Sequence, residues 1–139
     1  MNCKRLIIAS LVIFVVMSAM SYVVDNVILM STYESLKQLW RADTEMMSKM
    51  WIVYVFSLLF SFLFTYIFVK GYEAKGILEG VRFGIIIALF VAVPMAHSMY
   101  VIIPIPYSLA LQWSVFGLIE MLAAGILVAA IYKPAPAKA

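Results

Sequence analysis

Apolar residues run in four long stretches along the chain, each close to or beyond the roughly 20 residues that a helix needs to cross a bilayer. They cover residues 6–30, 50–69, 83–103 and 108–132. Hydrocarbon offers no hydrogen-bond partners to an exposed backbone, so each stretch is expected to be a helix. The pattern therefore predicts an all-α integral membrane protein, with residues 1–139 forming a single four-transmembrane-helix bundle.

The connection between the first two spans, residues 31–49, has a pattern of its own. Ser31 and Glu34 stand at capping-box spacing, and apolar side chains recur near the helical period after them. This predicts a short amphipathic helix on the outer membrane surface, which either anchors in lipid or docks a partner. The residues expected to form that surface are Tyr33, Leu36 and Trp40.

The connection between the last two spans is much shorter. Pro104 and Pro106 cannot continue a helix, so the chain turns sharply there and the two helices must be neighbours. Residues 133–139 form a Pro/Ala tail that is expected to be disordered in isolation.

Composition supports the membrane assignment. The 139 residues are 66% hydrophobic and 12% charged, with a mean hydropathy of +1.07, whereas a soluble domain is about half apolar and a quarter charged. The single cysteine, Cys3, excludes an internal disulfide and a cysteine-based metal cluster. The formal charge of +3 comes from residues that flank the spans, so the lipid bilayer rather than nucleic acid is the predicted partner.

The distribution of basic residues predicts the orientation. Those on one side of the spans are Lys4, Arg5, Lys70, Lys75, Arg82, Lys133 and Lys138. Those on the other side, Lys37, Arg41 and Lys49, are offset by acidic neighbours. The positive-inside rule therefore places both termini in the cytoplasm. The first apolar run is too long for the core of a typical cleavable signal peptide, so an uncleaved first span is expected.

The first and third spans resemble each other. Residues 15–24 align with residues 93–102 through a matching valine, methionine and tyrosine, and the second and fourth spans begin with "WIVY" and "WSVF". Two tandem two-helix hairpins would explain the matches, because parallel repeats are known in small transporters. Chance similarity between apolar helices would explain them equally well.

Small and weakly polar residues recur along three spans and predict the faces on which the helices pack. The packing residues expected from this pattern are Ser18, Ser21, Ser57, Ser61, Gly117 and Ala124. The large side chains of the second span, Phe56, Phe60, Phe64 and Phe68, are expected to meet lipid or a partner. Pro94 predicts a kink in the third span. Asp25 is expected to lie at the outer interface, where it can be hydrated.

Two ionisable residues, His97 and Glu120, interrupt the third and fourth spans. A charge within the bilayer costs at least a few kcal/mol, so such residues usually face the bundle interior and have a partner. Their predicted depths differ by roughly 6 Å, and on antiparallel helices their side chains lean toward each other. A direct or water-mediated pair between His97 and Glu120 is therefore expected.

Three functions for this pair stay open: a structural clasp, a proton relay or solute site in a small transporter, or a haem or copper site at His97. Met95 and Met99 flank the histidine but point nearly opposite to it on a helix, so the pattern favours no metal and no cofactor. The sequence carries no phosphate-binding loop and no nucleophile–base pair, so an enzyme is not expected.

The second half of the chain, "EGVRFG … VPMAHSMYVIIPIPYSLALQWSVFGLIEMLAAG … YKP", resembles a group of small, uncharacterised four-span bacterial membrane proteins over about residues 70–134. The resemblance implies a four-helix fold in the bacterial inner membrane and carries no activity with it. The expected function is an accessory or structural subunit of a larger membrane protein complex. A small proton-coupled transporter or permease is the alternative.

Overall fold

The computed structural model of the protein describes residues 2–133, and these residues form helices and short connections without β-strands. The main helices are α1 (Cys3–Ile28), α2 (Met30–Ser35), α3 (Asp43–Lys70), α4 (Ile77–Ile102) and α5 (Tyr107–Ile131). All except α2 are long and apolar enough to cross a membrane, which confirms the predicted all-helical, four-span fold. The predicted tail lies outside the described residues, except for Lys133.

All four membrane helices begin before the predicted apolar stretches, and α3 and α4 do so by seven and six residues (43 against 50, 77 against 83). α3 starts at Asp43 rather than near residue 50, with Asp43 and Glu45 in its first turn. Acidic side chains are favourable at the positive end of a helix, and Glu45 pairs there with Arg41 and Lys49. The polar turns therefore extend the helix beyond its apolar part.

A buried carboxylate organises the start of α4. Glu79 is only 5% exposed, and its two oxygens accept backbone N–H groups of Glu73 at 2.7 Å and Lys75 at 2.9 Å. Between Lys75 and Glu79 the chain passes through Gly76, whose φ of +72° suits a residue without a side chain. Glu79 thus ties the connection between α3 and α4 to the helix that follows it.

The membrane helices pack in the order α4, α5, α1, α3, so that α5 lies between α4 and α1. Both described chain ends meet at one end of the bundle, where the backbone N–H of Asn2 donates to the Tyr132 hydroxyl at 3.3 Å. We name this the terminal end and the opposite one the far end. α1 beside α3, and α4 beside α5, is the arrangement that two hairpins would give, but the internal duplication stays a prediction.

Glycines bring α4 and α5 together more closely than side chains would allow. A Cβ atom added to Gly80 would lie 2.1 Å from the carbonyl oxygen of Gly125, and one added to Gly84 would lie 2.4 Å from that of Met121. Gly80 and Gly84 are four residues apart in α4, the small-xxx-small spacing at which membrane helices cross closely. This crossing is the tightest helix contact that the glycines show.

The main core lies in the half of the bundle nearest the terminal end. Its buried members are Ala9, Ile13, Phe64, Phe68, Ala88, Met121, Ala124, Val128 and Tyr132. The prediction that Phe64 and Phe68 face lipid or a partner is wrong. Both rings contact Phe83 of α4, with centroids 4.8 Å and 5.4 Å apart, and so close the bundle between α3 and α4.

The predicted packing residues contribute in different ways. Ser61 and Ala124 are buried, and a Cβ at Gly117 would approach the methyl group of Ala92 to 2.7 Å. Ser18, Ser21 and Ser57 are half-buried. The Ser61 hydroxyl donates to the carbonyl of Ser57 one turn earlier, which keeps this polar group satisfied in an apolar setting.

A second apolar cluster covers the far end. Leu29, Ile105 and Leu109 are buried there, and Tyr33, Leu36 and Trp40 pack against the same cluster. The predicted surface helix is therefore present as α2, but it is only six residues long. Tyr33 of α2 and Trp40, which follows α2 along the chain, lie on the chain's own far end and are half-buried.

The far half of α3 makes no close packing with the rest of the chain. Every residue from position 43 to position 56 is exposed, including Trp51 at 63% and Phe56 at 62%. These fourteen residues span about 20 Å of helix. α3 thus packs within the bundle mainly toward the terminal end, and we call its exposed remainder the free far half of α3.

Candidate functional site

Glu120 is the central polar residue within the membrane-spanning part of the bundle. It lies near the middle of α5, and its Oε1 atom accepts a hydrogen bond from the Ser21 hydroxyl of α1 at 3.0 Å. Its side chain is half-buried. Ser21, predicted from the small-residue pattern, thus serves as a hydrogen-bond donor as well as a packing residue.

Glu120 faces an open cleft of about 250 Å³ between α1, α4 and α5. The cleft is lined by Ser21, Val24, Asp25, Ala92, Met95, Ala96, Trp113, Phe116, Gly117 and Glu120. Ala92 and Ala96 form the small-residue part of the α4 wall, and the rings of Trp113 and Phe116 form part of the α5 wall. Asp25 and Glu120 are the two ionisable groups of the lining, so the cleft carries acidic groups and no basic one.

A chain of hydrogen bonds joins this cleft to the far end. The Trp113 indole N–H donates to the Tyr33 hydroxyl at 2.7 Å, and that hydroxyl donates to Oδ1 of Asp25 at 3.0 Å. Burial raises the pKa of the Tyr33 phenol above its usual range, so Tyr33 acts as a neutral donor. Asp25 is exposed, which agrees with the predicted hydrated position, and the hydrogen bond from α2 holds it in place.

His97 does not join Glu120, so the expected pair between them is absent and that prediction is wrong. The Nδ1–H of His97 donates to the carbonyl of Val93 at 2.9 Å, and Nε2 lies 3.3 Å from the Tyr107 hydroxyl. The depth argument did not determine the helix face. Ala92 and Ala96, one turn apart, line the cleft, and His97 lies about 100° further around α4.

The region around His97 also differs from a metal site. Met95 lines the cleft, whereas His97 contacts Tyr107 outside it, so the two side chains do not converge. Within residues 2–133, no group of three or more histidine, cysteine, aspartate or glutamate side chains is arranged to hold a metal ion. Pro94 follows a π-helical turn at Ala88–Ala92, which interrupts the α-helix where a kink was predicted.

Sequence reasoning missed three features of the site and its support. No packing role was predicted for Gly80 and Gly84, although their spacing inside an apolar run is a signal of close helix packing. The hydrogen bond between Tyr33 and Asp25 could not be predicted, because only the fold brings the two side chains together. Glu79 gave no signal in the sequence, because its partners are backbone N–H groups.

Comparisons of the chain with protein-family models, curated proteins and solved structures find no match. The resemblance to four-span bacterial membrane proteins therefore stays a prediction. The structure by itself defines a multi-pass membrane protein with an acidic cleft between its spans.

Proposed function

We propose that this protein is a non-enzymatic accessory or structural subunit of a larger assembly in the bacterial inner membrane, with both termini in the cytoplasm. The observation that carries the proposal is the free far half of α3. Helices in lipid associate through close packing, and residues 50–56, which belong to the apolar part of this helix, are all exposed. A helix of another subunit would find an unoccupied surface there.

The composition of this surface supports the proposal. Residues 50–56 present Trp51, Tyr54 and Phe56, all more than half exposed. Tryptophan and tyrosine are enriched where proteins bind one another, because they bury a large area with few rotatable bonds. Tyr33 and Trp40 already cover the apolar cluster at the far end of the bundle. The free far half of α3 has no such cover, so it is the surface that we assign to the partner.

Native mass determination after gentle extraction with surrounding lipid tests this function. We expect the chain to leave the membrane in a particle that contains at least one other protein. A monomer or homodimer as the sole species would contradict the proposal. Phe56→Ala should weaken the association, whereas Leu11→Ala, at a half-exposed position on α1, is the matched control.

A small proton-coupled transporter is the second candidate, and the acidic cleft favours it. Glu120 and Asp25 line one cavity within the spans, and intramembrane carboxylates recur in proton pathways. His97 has no place in this version, since it lies outside the cleft. Purified protein in vesicles with an entrapped pH dye should then conduct protons, and Glu120→Gln should abolish the flux while the fold persists. Equal flux through both proteins would exclude this candidate.

A further inference from the structure

The carboxyl group of Glu120 has hydrogen-bonding capacity left on the side that faces the cleft. No second hydrogen bond reaches the Glu120 carboxylate in the described part of the chain besides the one from Ser21. An ionised carboxylate at mid-membrane depth is unfavourable by several kcal/mol unless a cation or further donors accompany it. The lining of the cleft includes no lysine or arginine.

Six of the ten basic side chains of the chain are engaged elsewhere. Salt bridges hold Lys37 to Asp43, Arg41 and Lys49 to Glu45, and Lys75 and Arg82 to Glu73, all outside the cleft. Arg5 donates to the carbonyl of Ile131 at the terminal end. Within the described residues, no salt bridge reaches Asp25 or Glu120, so a partner that carries a positive charge would complement the cleft.

The shape of the cleft suits a helix better than a loop. Ala92, Ala96 and Gly117 form its small-residue wall, which allows another backbone to approach closely. Met95 at the rim is 60% exposed, so the cleft reaches the lipid-facing surface of the bundle. A loop with unpaired backbone groups would be unfavourable at this depth, whereas a helix satisfies its own backbone.

We infer that the cleft docks a transmembrane helix of a partner protein whose lysine or arginine pairs with Glu120. Asp25 lies beside the same cleft, closer to the far end, and adds to its negative potential. The inference rests on the proposed subunit function and specifies the chemistry of the partner. Small residues then give close contact, and the charge pair sets the depth and identity of the helix.

Binding of synthetic transmembrane peptides to the purified full chain in lipid nanodiscs tests the inference. Cys3, which is exposed and the chain's single cysteine, carries the donor dye, and the peptide carries the acceptor. One leucine–alanine peptide has a lysine at mid-membrane depth, and its twin has methionine there. We expect the lysine peptide to bind about tenfold or more tightly, a preference of about 1.4 kcal/mol.

Comparing the unsubstituted chain with Glu120→Gln and Glu34→Gln distinguishes charge pairing from nonspecific binding of a hydrophobic peptide. Glu120→Gln keeps an oxygen that can accept from Ser21 but removes the charge, so it should bind both peptides equally. Glu34→Gln removes an exposed carboxylate outside the cleft and should keep the lysine preference. Equal binding of the two peptides to the unsubstituted chain, or an unchanged preference in Glu120→Gln, would overturn the inference, as would no binding at all.

A small cationic ligand is the rival occupant, and the assay distinguishes it. If butylamine raises the thermal stability of the unsubstituted chain but not of Glu120→Gln, while the lysine peptide fails to bind, the cleft is a small-molecule site and the inference is wrong. The proposed subunit function can be contradicted by a result that leaves the inference about the cleft intact. A chain that is monomeric in its own membrane but prefers the lysine peptide would contradict the function and leave the chemistry of the cleft intact.

Discussion

Adding a single methyl group at Gly80 should force α4 away from α5. The new Cβ would lie 2.1 Å from the Gly125 carbonyl oxygen and 2.7 Å from the Ala129 methyl carbon, both closer than real Cβ contacts. The backbones would have to separate by about 1 Å, and overpacking of this kind is unfavourable by about 1–3 kcal/mol. We take the upper end of that range, because a backbone carbonyl cannot rotate away as a side chain can.

Helix propensity acts in the opposite direction. Alanine is favoured over glycine in a helix interior by about 1 kcal/mol, so the net loss for Gly80→Ala is about 2 kcal/mol. This corresponds to about a 30-fold shift of the unfolding equilibrium. Reversible unfolding in lipid–detergent micelles with increasing dodecyl sulfate, followed by tryptophan fluorescence, measures the difference.

Gly71 provides the matched control. A Cβ there would meet its nearest neighbour at 3.7 Å, an ordinary contact, so Gly71→Ala should change the free energy of unfolding by less than about 0.5 kcal/mol. Gly117→Ala should fall between the two, because the obstacle at 2.7 Å is the methyl group of Ala92. Equal stability of Gly80→Ala and Gly71→Ala would refute the close crossing of α4 and α5.

Three further predictions concern other parts of the chain. Glu79→Ala should destabilise the fold by about 1–3 kcal/mol and speed amide exchange at Glu73 and Lys75, because their N–H groups lose a buried acceptor; unchanged exchange would contradict this. Hydrogen bonding from Lys75 helps lower the pKa of the Glu73 carboxyl to about 2, below its unfolded value near 4.5. Its stabilising contribution is therefore complete above about pH 4.5 and lost as the pH falls toward 2; Glu73→Gln should show a flatter acid profile over that window. His97→Ala and Glu120→Ala should be additive within about 0.5 kcal/mol, since the two side chains do not interact; strong coupling would restore the clasp.

The four spans could be predicted because hydropathy reports what a bilayer requires of each segment separately. Their ends could not, since Asp43 and Glu45 continue α3 through polar turns that hydropathy does not recognise as helix. The existence of α2, like that of the spans, could be predicted, because apolar residues recur there at the helical period. Its half-buried position depends on Leu29 and Ile105, which approach it only in the folded chain.

The faces of the helices were harder to predict than their depths. The depth of a residue follows from its position along the helix. Its face also depends on the number of residues per turn, which the π-helical turn at Ala88–Ala92 changes within α4. Phe64 and Phe68 show the same difficulty, because a large apolar side chain suits lipid and a membrane protein core equally well. Glu120 was recognised as intramembrane, but its partner Ser21 was expected only to pack.

Site-specific photo-crosslinking from position 51 in intact membranes tests the proposed subunit function most directly. A photoreactive residue in place of Trp51 would lie on the free far half of α3, and one in place of Ile7 would lie at a similarly exposed position on α1. We predict a discrete adduct with a different protein from position 51 and adducts with lipid alone from position 7. Lipid adducts alone at both positions, or an adduct between two copies of this chain, would contradict the proposal.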